Sequence, residues 1–168
     1  MAETEWLTDD QQRTWRALVL CMQLLQQGLD RQLQRDADMP HAYYAVLVAL
    51  HEASDRTRRM SELAALLAYS PSRLSHAVTR MEALGWVERR PCDSDRRVTY
   101  ATLTDTGASA LAGAAGGHVD FVRSYVFGPL SDAQHHQLRG ACARIADSLL
   151  ASDDLDPLVV AAVSHLRG

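Results

Sequence analysis

The chain has 168 residues, 47% of them hydrophobic and 23% charged, with a formal net charge of −4, the composition of one globular domain or of one domain with an appended dimerisation element. No apolar run approaches the roughly 20 residues of a membrane span; the acidic start Met1-Ala2-Glu3-Thr4-Glu5 lacks the basic region of a signal peptide, so the expected location is cytoplasmic. All 17 basic residues are Arg, which excludes Schiff-base chemistry and a Walker phosphate loop, both of which need Lys.

Thr8-Asp9-Asp10-Gln11 fits a capping box. Trp15, Leu18, Met22, Leu25, Leu29 and Leu33 then recur every three or four residues, which predicts one long amphipathic helix to about Arg35. Its apolar seam suits packing on several partners or on another chain. Met39-Pro40 breaks it, because a residue before proline avoids helical backbone. A second helix is expected from His41 to Ala53, with Tyr43, Val46, Leu47 and Leu50 on one face. Residues 54–59 read as a polar loop. Ser61 is the expected cap of a short third helix to about Leu67, with Leu63, Ala64 and Leu67 inward. Ser70 as cap and Pro71 in the first turn start a fourth helix. It buries Leu74, Ala77, Val78, Met81 and Leu84 and stops at Gly85.

After Gly85 the period falls to two. Residues 86–90 predict a strand, 91–95 a turn and 97–103 a return strand rich in Val, Thr and Tyr. Thr104 caps an Ala-rich helix through about Phe127, with a bend expected at Gly116-Gly117, and Gly128-Pro129 stops it. Ser131 and Gln134 form a second capping box, ahead of a helix lined by Leu138, Cys142, Ile145 and Leu149. An acidic linker over 152–157 precedes a short last helix over 158–166.

A helix, a tight turn, a second helix and a β-hairpin make the order of a winged helix-turn-helix. In that arrangement the second helix can lie in the major groove while the hairpin reaches the minor groove. The outward residues of the fourth helix are Ser72, Arg73, Ser75, His76, Thr79 and Arg80, with no acid before Glu82. Arg binds guanine O6 and N7 bidentately, and Ser and Thr suit base edges or phosphates. Charge points the same way. Residues 56–97 hold nine Arg against five acids, the remainder eight Arg against sixteen acids. A basic island in an acidic chain fits a polyanion, although charge alone reads equally as a solvated surface.

The stretches Met60-Ser61-Glu62-Leu63-Ala64, Ser72 to Glu82, Leu84-Gly85, Glu88-Arg89-Arg90, Asp95-Arg96-Arg97 and Leu103-Thr104-Asp105-Thr106-Gly107 together resemble the MarR family of bacterial regulators. The helix order extends the resemblance over nearly the whole chain. It implies a mainly α fold with a small β-hairpin wing. Residues 1–38 would be the N-terminal helix of the dimerisation domain, 40–103 the winged helix-turn-helix, and 104–168 the C-terminal dimerisation helices. It implies a homodimer on a pseudo-palindromic double-stranded DNA operator, acting as a repressor rather than an activator. By resemblance Arg97 is the wing-tip Arg, Asp95 the acid that orients it, and Arg96 a phosphate contact. Arg73, Ser75, His76 and Arg80 fall at recognition-helix positions, where His76 stands in place of the Arg of many members. The family's cleft for a small aromatic or phenolic effector would here be walled by Trp15, Tyr43, Tyr44, His51 and His118, each of which reads equally well as core.

Two other readings stay open. By the same resemblance, Cys21 on the first helix, with Tyr43 and Tyr44 on the second, would suit a redox-sensing member of the family. No cation nearby favours its thiolate, and a buried small apolar residue is the simpler reading. Cys92 at the wing turn is expected to be the more exposed of the two, and structural. A helical ligand-binding or interaction protein that has lost operator binding is the other alternative. His135 and His136 are adjacent and point apart, His51-Glu52 has no second His one turn on, and His118 and Asp120 are two apart, so no metal is expected. No catalytic constellation is present; neither an enzyme nor a cofactor is expected.

Overall fold

The computed structural model describes residues 4–92, 94–95, 97–152 and 154–164. Along them run α1 (Asp9–Ala37), α2 (His41–His51), β1 (Thr57–Arg59), α3 (Met60–Leu66), α4 (Pro71–Ala83), β2 (Val87–Pro91) and β3 (Thr99–Leu103). Then follow α5 (Asp105–Val122), a π-helical turn (Arg123–Phe127), α6 (Asp132–Leu150) and α7 (Pro157–Ser164). The architecture is mainly α with a small antiparallel sheet, as the sequence predicts.

The helix starts follow local chemistry. Thr8 and Ser131 each close a reciprocal capping box with the Gln three residues on. Ser70 Oγ accepts the Arg73 N–H, and Thr104 Oγ1 accepts the Gly107 N–H. Each cap satisfies a donor that the helix itself leaves without a partner. Gly85 ends α4 in the left-handed region at φ 72°.

Two expectations are corrected by non-local pairing and a third by the end of a helix. Residues 57–59 are a strand and not loop: the sheet has the order β1-β3-β2, with Thr57 opposite Thr102 and Arg59 opposite Tyr100. Polar residues without alternation carry no strand signal; the free edge of β3 supplies the partner. Because β1 runs straight into α3, that helix starts at Met60 without a side-chain cap, and Ser61 lies inside its first turn. Leu84 is 50% exposed, since α4 ends before it and the turn carries it off the buried face.

The core of the winged lobe is Leu33 from α1, Val46, Leu47 and Leu50 from α2, Leu63 from α3, Leu74, Val78 and Met81 from α4, and Val87, Ala101 and Leu103 from the hairpin. Each large aliphatic chain so buried is worth about 1.5–3 kcal/mol. It holds α4 with its opposite face outward.

Much of the rest of the apolar seam is left exposed by the described residues. On α1, Leu29 and Leu33 are buried while Trp15 and Met22 are 56% and 51% exposed. No residue of α6 is buried, and Leu138, Ile145 and Leu149 are all exposed. Beyond α6, α7 returns to pack on α3, where Ala65 is buried although it lies away from the Leu63 side.

The expected bend at Gly116-Gly117 does not interrupt the helix. α5 runs through both glycines and widens only at Arg123–Phe127. Gly117 serves close approach instead: a Cβ there would stand 2.7 Å from Gln32 Nε2 of α1. Among the described residues no helix is long and apolar enough to cross a membrane.

Candidate nucleic-acid interface

The outward face of α4 is built as its pattern predicts. Leu74, Ala77, Val78 and Met81 are buried, while Ser72, Arg73, His76, Thr79 and Arg80 are exposed and Ser75 is half-buried. The Arg73 guanidinium carbon lies 4.1 Å from the centroid of the Tyr69 ring. Neither Arg73 nor Arg80 forms an ion pair among the described residues. The Thr79 hydroxyl is committed inward: it donates to the Ser75 carbonyl at 2.9 Å and accepts from Arg89 at 3.1 Å.

Glu82, the one acid late on α4, does not oppose a polyanion. Arg89 of β2 donates to it from Nε at 2.7 Å and from its backbone N–H at 3.1 Å. The pair is about two-thirds buried. It offsets the carboxylate's charge and fastens β2 to α4. Sequence reasoning passes over Arg89, whose partner is seven residues away in a different element.

At the wing tip, Asp95 accepts the backbone N–H of Arg97 at 3.0 Å and its guanidinium Nε and Nη2 at 3.1 and 3.2 Å. These bonds hold the Asp95 carboxyl below the usual carboxylate range. The Arg97 side chain is 91% exposed, so it is oriented without being covered. Arg96 lies outside the described residues. Arg97→Ala is expected to weaken binding to every duplex, most where the minor groove is narrow and A·T-rich, with the melting temperature unchanged. Asp95→Ala is expected to do part of the same damage. Isotherms for both variants on A·T-rich and G·C-rich duplexes check this; wild-type affinity in both removes the wing from the interface.

The cysteines reverse the expected order of exposure. Cys21 is exposed and Cys92 half-buried. Cys21 sits on the part of α1 that nothing in the described chain covers. Cys92 folds beside Ser94, whose hydroxyl lies 3.2 Å from its sulfur and pulls the thiol below its ordinary value.

The proposed effector residues are only partly brought together. Tyr44 and His118 meet with ring centroids 4.4 Å apart, at the junction of α1, α2 and α5. Trp15 is exposed near the start of α1, His51 is exposed at the end of α2, and Tyr43 is half-buried. The group that sequence reasoning misses is His41. Its ring stacks on His118 at 6.5 Å, contacts Gln26 Nε2 at 3.2 Å, and its backbone N–H donates to Asp30 at 3.0 Å. His118 Nδ1 and Gln32 Oε1 are buried without a hydrogen-bond partner among the described residues. A polar ring directly after Pro40, at the start of a helix, is the only sequence signal for His41.

Burial pushes both His41 and His118 below their ordinary value, and the charge of His41 adds to the effect on His118. The unfolded chain therefore binds protons at these sites more readily than the folded one. Their contribution to stability is complete above the ordinary value of about 6.5 and is lost as pH falls through the depressed values. The melting temperature is expected to fall between pH 7.5 and 5.5, and His118→Gln to flatten that fall. Asp36 and Asp95, both held low by hydrogen bonds, act in a separate window below about pH 4. An equal slope in wild type and variant would contradict the assignment to His118.

Comparison with known proteins accords with this geometry. Residues 37–98 match the MarR family. The crystal structure of Sco3205, a MarR family transcriptional regulator from Streptomyces coelicolor solved in complex with DNA, superposes with a TM-score of 0.83 at 47% identity, over 93% of this chain and 97% of that one. The chain belongs to the MarR family of transcriptional regulators. AbsC, a MarR family transcriptional regulator of the same organism, superposes with a TM-score of 0.82 at 37% identity, over 89% of this chain and all of that one. Among curated proteins, the regulator PecS of Dickeya dadantii is 29% identical over 90 residues, 54% of each chain. The transcriptional repressor MprA of Escherichia coli K12 is 27% identical over 94 residues, 55% of this chain and 53% of that protein. The match thus spans about half the length of these curated relatives. Met60, Ser61, Ser72–Glu82 and Asp95-Arg97, which carry the sequence resemblance, lie inside the matched segment.

Proposed function

We propose that this MarR-family chain represses transcription as a homodimer bound to a pseudo-palindromic DNA operator, and that a small aromatic or phenolic effector releases it. One observation carries the DNA reading. The exposed cations Arg73 and Arg80 and the outstretched Arg97 belong to a helix and an adjoining wing, and the nearby acid Glu82 is already paired with Arg89. The Sco3205 complex supports it. The uncovered seams of α1 and α6 support the dimer, since exposed apolar surface of that extent marks an interface. Two copies packed through them are expected to bury more than roughly 2,000 Å². The Tyr44–His118–His41 group supports the effector. It is a partly buried aromatic wall, and the buried His118 nitrogen has no hydrogen-bond partner among the described residues. An effector there acts only to the extent that it binds one lobe spacing better than another.

A titration of operator, selected from the parent genome, at two salt concentrations tests the DNA reading. Real phosphate contacts give a steep fall of affinity with salt. A flat dependence favours a ligand-binding or interaction protein without operator binding. Light scattering at micromolar concentration tests the dimer, and a monomer there ends that part of the reading.

A further inference from the structure

We propose that Tyr69 is a positioning residue for DNA recognition: its ring holds the Arg73 guanidinium as a pre-oriented fork at the entry of the recognition helix. This rests on the reading of Arg73 as a base-contacting side chain.

Both partners are fixed by their own backbone. Tyr69 is the residue before the Ser70 cap; its N–H donates to the Ala64 carbonyl at 2.9 Å, and its ring packs against the lobe core. Arg73 lies in the first turn of α4, where its N–H donates to Ser70 Oγ at 3.2 Å and Pro71 stiffens the turn. The guanidinium carbon lies over the ring, 4.1 Å from its centroid, well inside the range of a cation–π contact.

The choice of partner matters chemically. A carboxylate holding Arg73 would consume its N–H donors, as Asp95 does with those of Arg97. A ring takes only the face of the planar cation and leaves its in-plane donors for a bidentate acceptor such as guanine O6 and N7. Held in this way, Arg73 loses less rotamer freedom on binding than a free side chain would. Arg80, with no such partner among the described residues, has the freedom that suits a phosphate contact. The Tyr69 hydroxyl plays no part in this arrangement, so Phe is expected to serve as well.

The experiment is a double-mutant cycle on the selected operator and on a scrambled duplex, using Tyr69→Phe, Tyr69→Leu, Arg73→Ala and the Leu/Ala pair. Tyr69→Leu is expected to lower operator affinity about two- to tenfold per half-site, with scrambled duplex unaffected. In the Arg73→Ala background it is expected to cost nothing further, and Tyr69→Phe to behave as wild type. An equal loss in both backgrounds, or no loss in either, overturns the proposal, because Tyr69 then acts through packing or not at all. If Arg73→Ala alone leaves the ratio of operator to scrambled binding unchanged, the base-contact reading of Arg73 has failed, and the proposal fails with it. The contact itself is read without DNA, by NMR of the full-length protein. Ring-current shifts are expected on the Arg73 side-chain protons in wild type and Tyr69→Phe. Their absence from the wild-type spectrum overturns the proposal even if Tyr69→Leu proves too unstable to titrate.

Discussion

Gly107→Ala is expected to destabilise the protein by about 3 kcal/mol or more. Gly107 is buried in the first turn of α5, and a Cβ there would stand 2.1 Å from the Trp86 carbonyl oxygen and 2.8 Å from Leu103 Cδ1. The Leu103 methyl can turn aside; the carbonyl cannot. It accepts the Thr104 N–H at 3.1 Å, and Thr104 Oγ1 in turn donates to the Gly85 carbonyl at 2.6 Å. The start of α5 is thereby tied to the turn between α4 and β2, and making room for a methyl means breaking that tie. Thermal melts of wild type and variant at one protein concentration check the expectation, since the midpoint of a protein that dimerises depends on its concentration. A midpoint within about 2 °C of wild type would show that the approach is not close.

Arg73→Ala is expected to cost about 1–3 kcal/mol per half-site on the preferred operator and to relax base preference at one position. If α4 is the recognition helix, as proposed, side chains of its first turn approach base edges, and Arg73 stands in that turn with no hydrogen bond or ion pair from its guanidinium among the described residues. Arg80 lies two turns later. Arg80→Ala should weaken operator and scrambled duplex alike and reduce the salt slope by about one unit per half-site. Isotherms for each variant on both duplexes across a salt series separate the two roles. If Arg80→Ala changes base preference while Arg73→Ala lowers affinity uniformly, the assignment is reversed.

Much of the α4 surface is legible in sequence because helical period and capping act within four residues. The spacing of Leu74, Ala77, Val78 and Met81 puts them inward and leaves Ser72, Arg73, His76 and Arg80 outward, as observed. Asp95 and Arg97 are two residues apart, so their pairing is local too. Arg89 with Glu82 is not legible in this way: the strand and the helix that carry them meet only when the lobe closes. The Tyr69–Arg73 stack lies between these cases. Its spacing is visible, but only the seating of Tyr69 on the core decides that the ring faces Arg73.

The same division runs through the whole chain. Thr8, Ser70, Thr104 and Ser131 place helix starts through side-chain bonds to backbone N–H groups three residues on, Pro71 through its fixed φ and Gly85 through its left-handed φ, and the surroundings hardly enter. These residues, with the apolar periodicity of α1, α2, α4 and α6, suffice for a mainly helical chain with one hairpin. The strand nature of residues 57–59 depends on β3, more than forty residues on. The close approach at Gly117, where Gln32 of α1 fills the space a Cβ would take, depends on α1 and α5 docking together. The meeting of His41 with His118 depends on α2 and α5 docking together. The exposure of Cys21 likewise reflects which surfaces the packed lobe covers. Such contacts join residues far apart along the chain, and their geometry exists only once the core has formed, so no local pattern carries them.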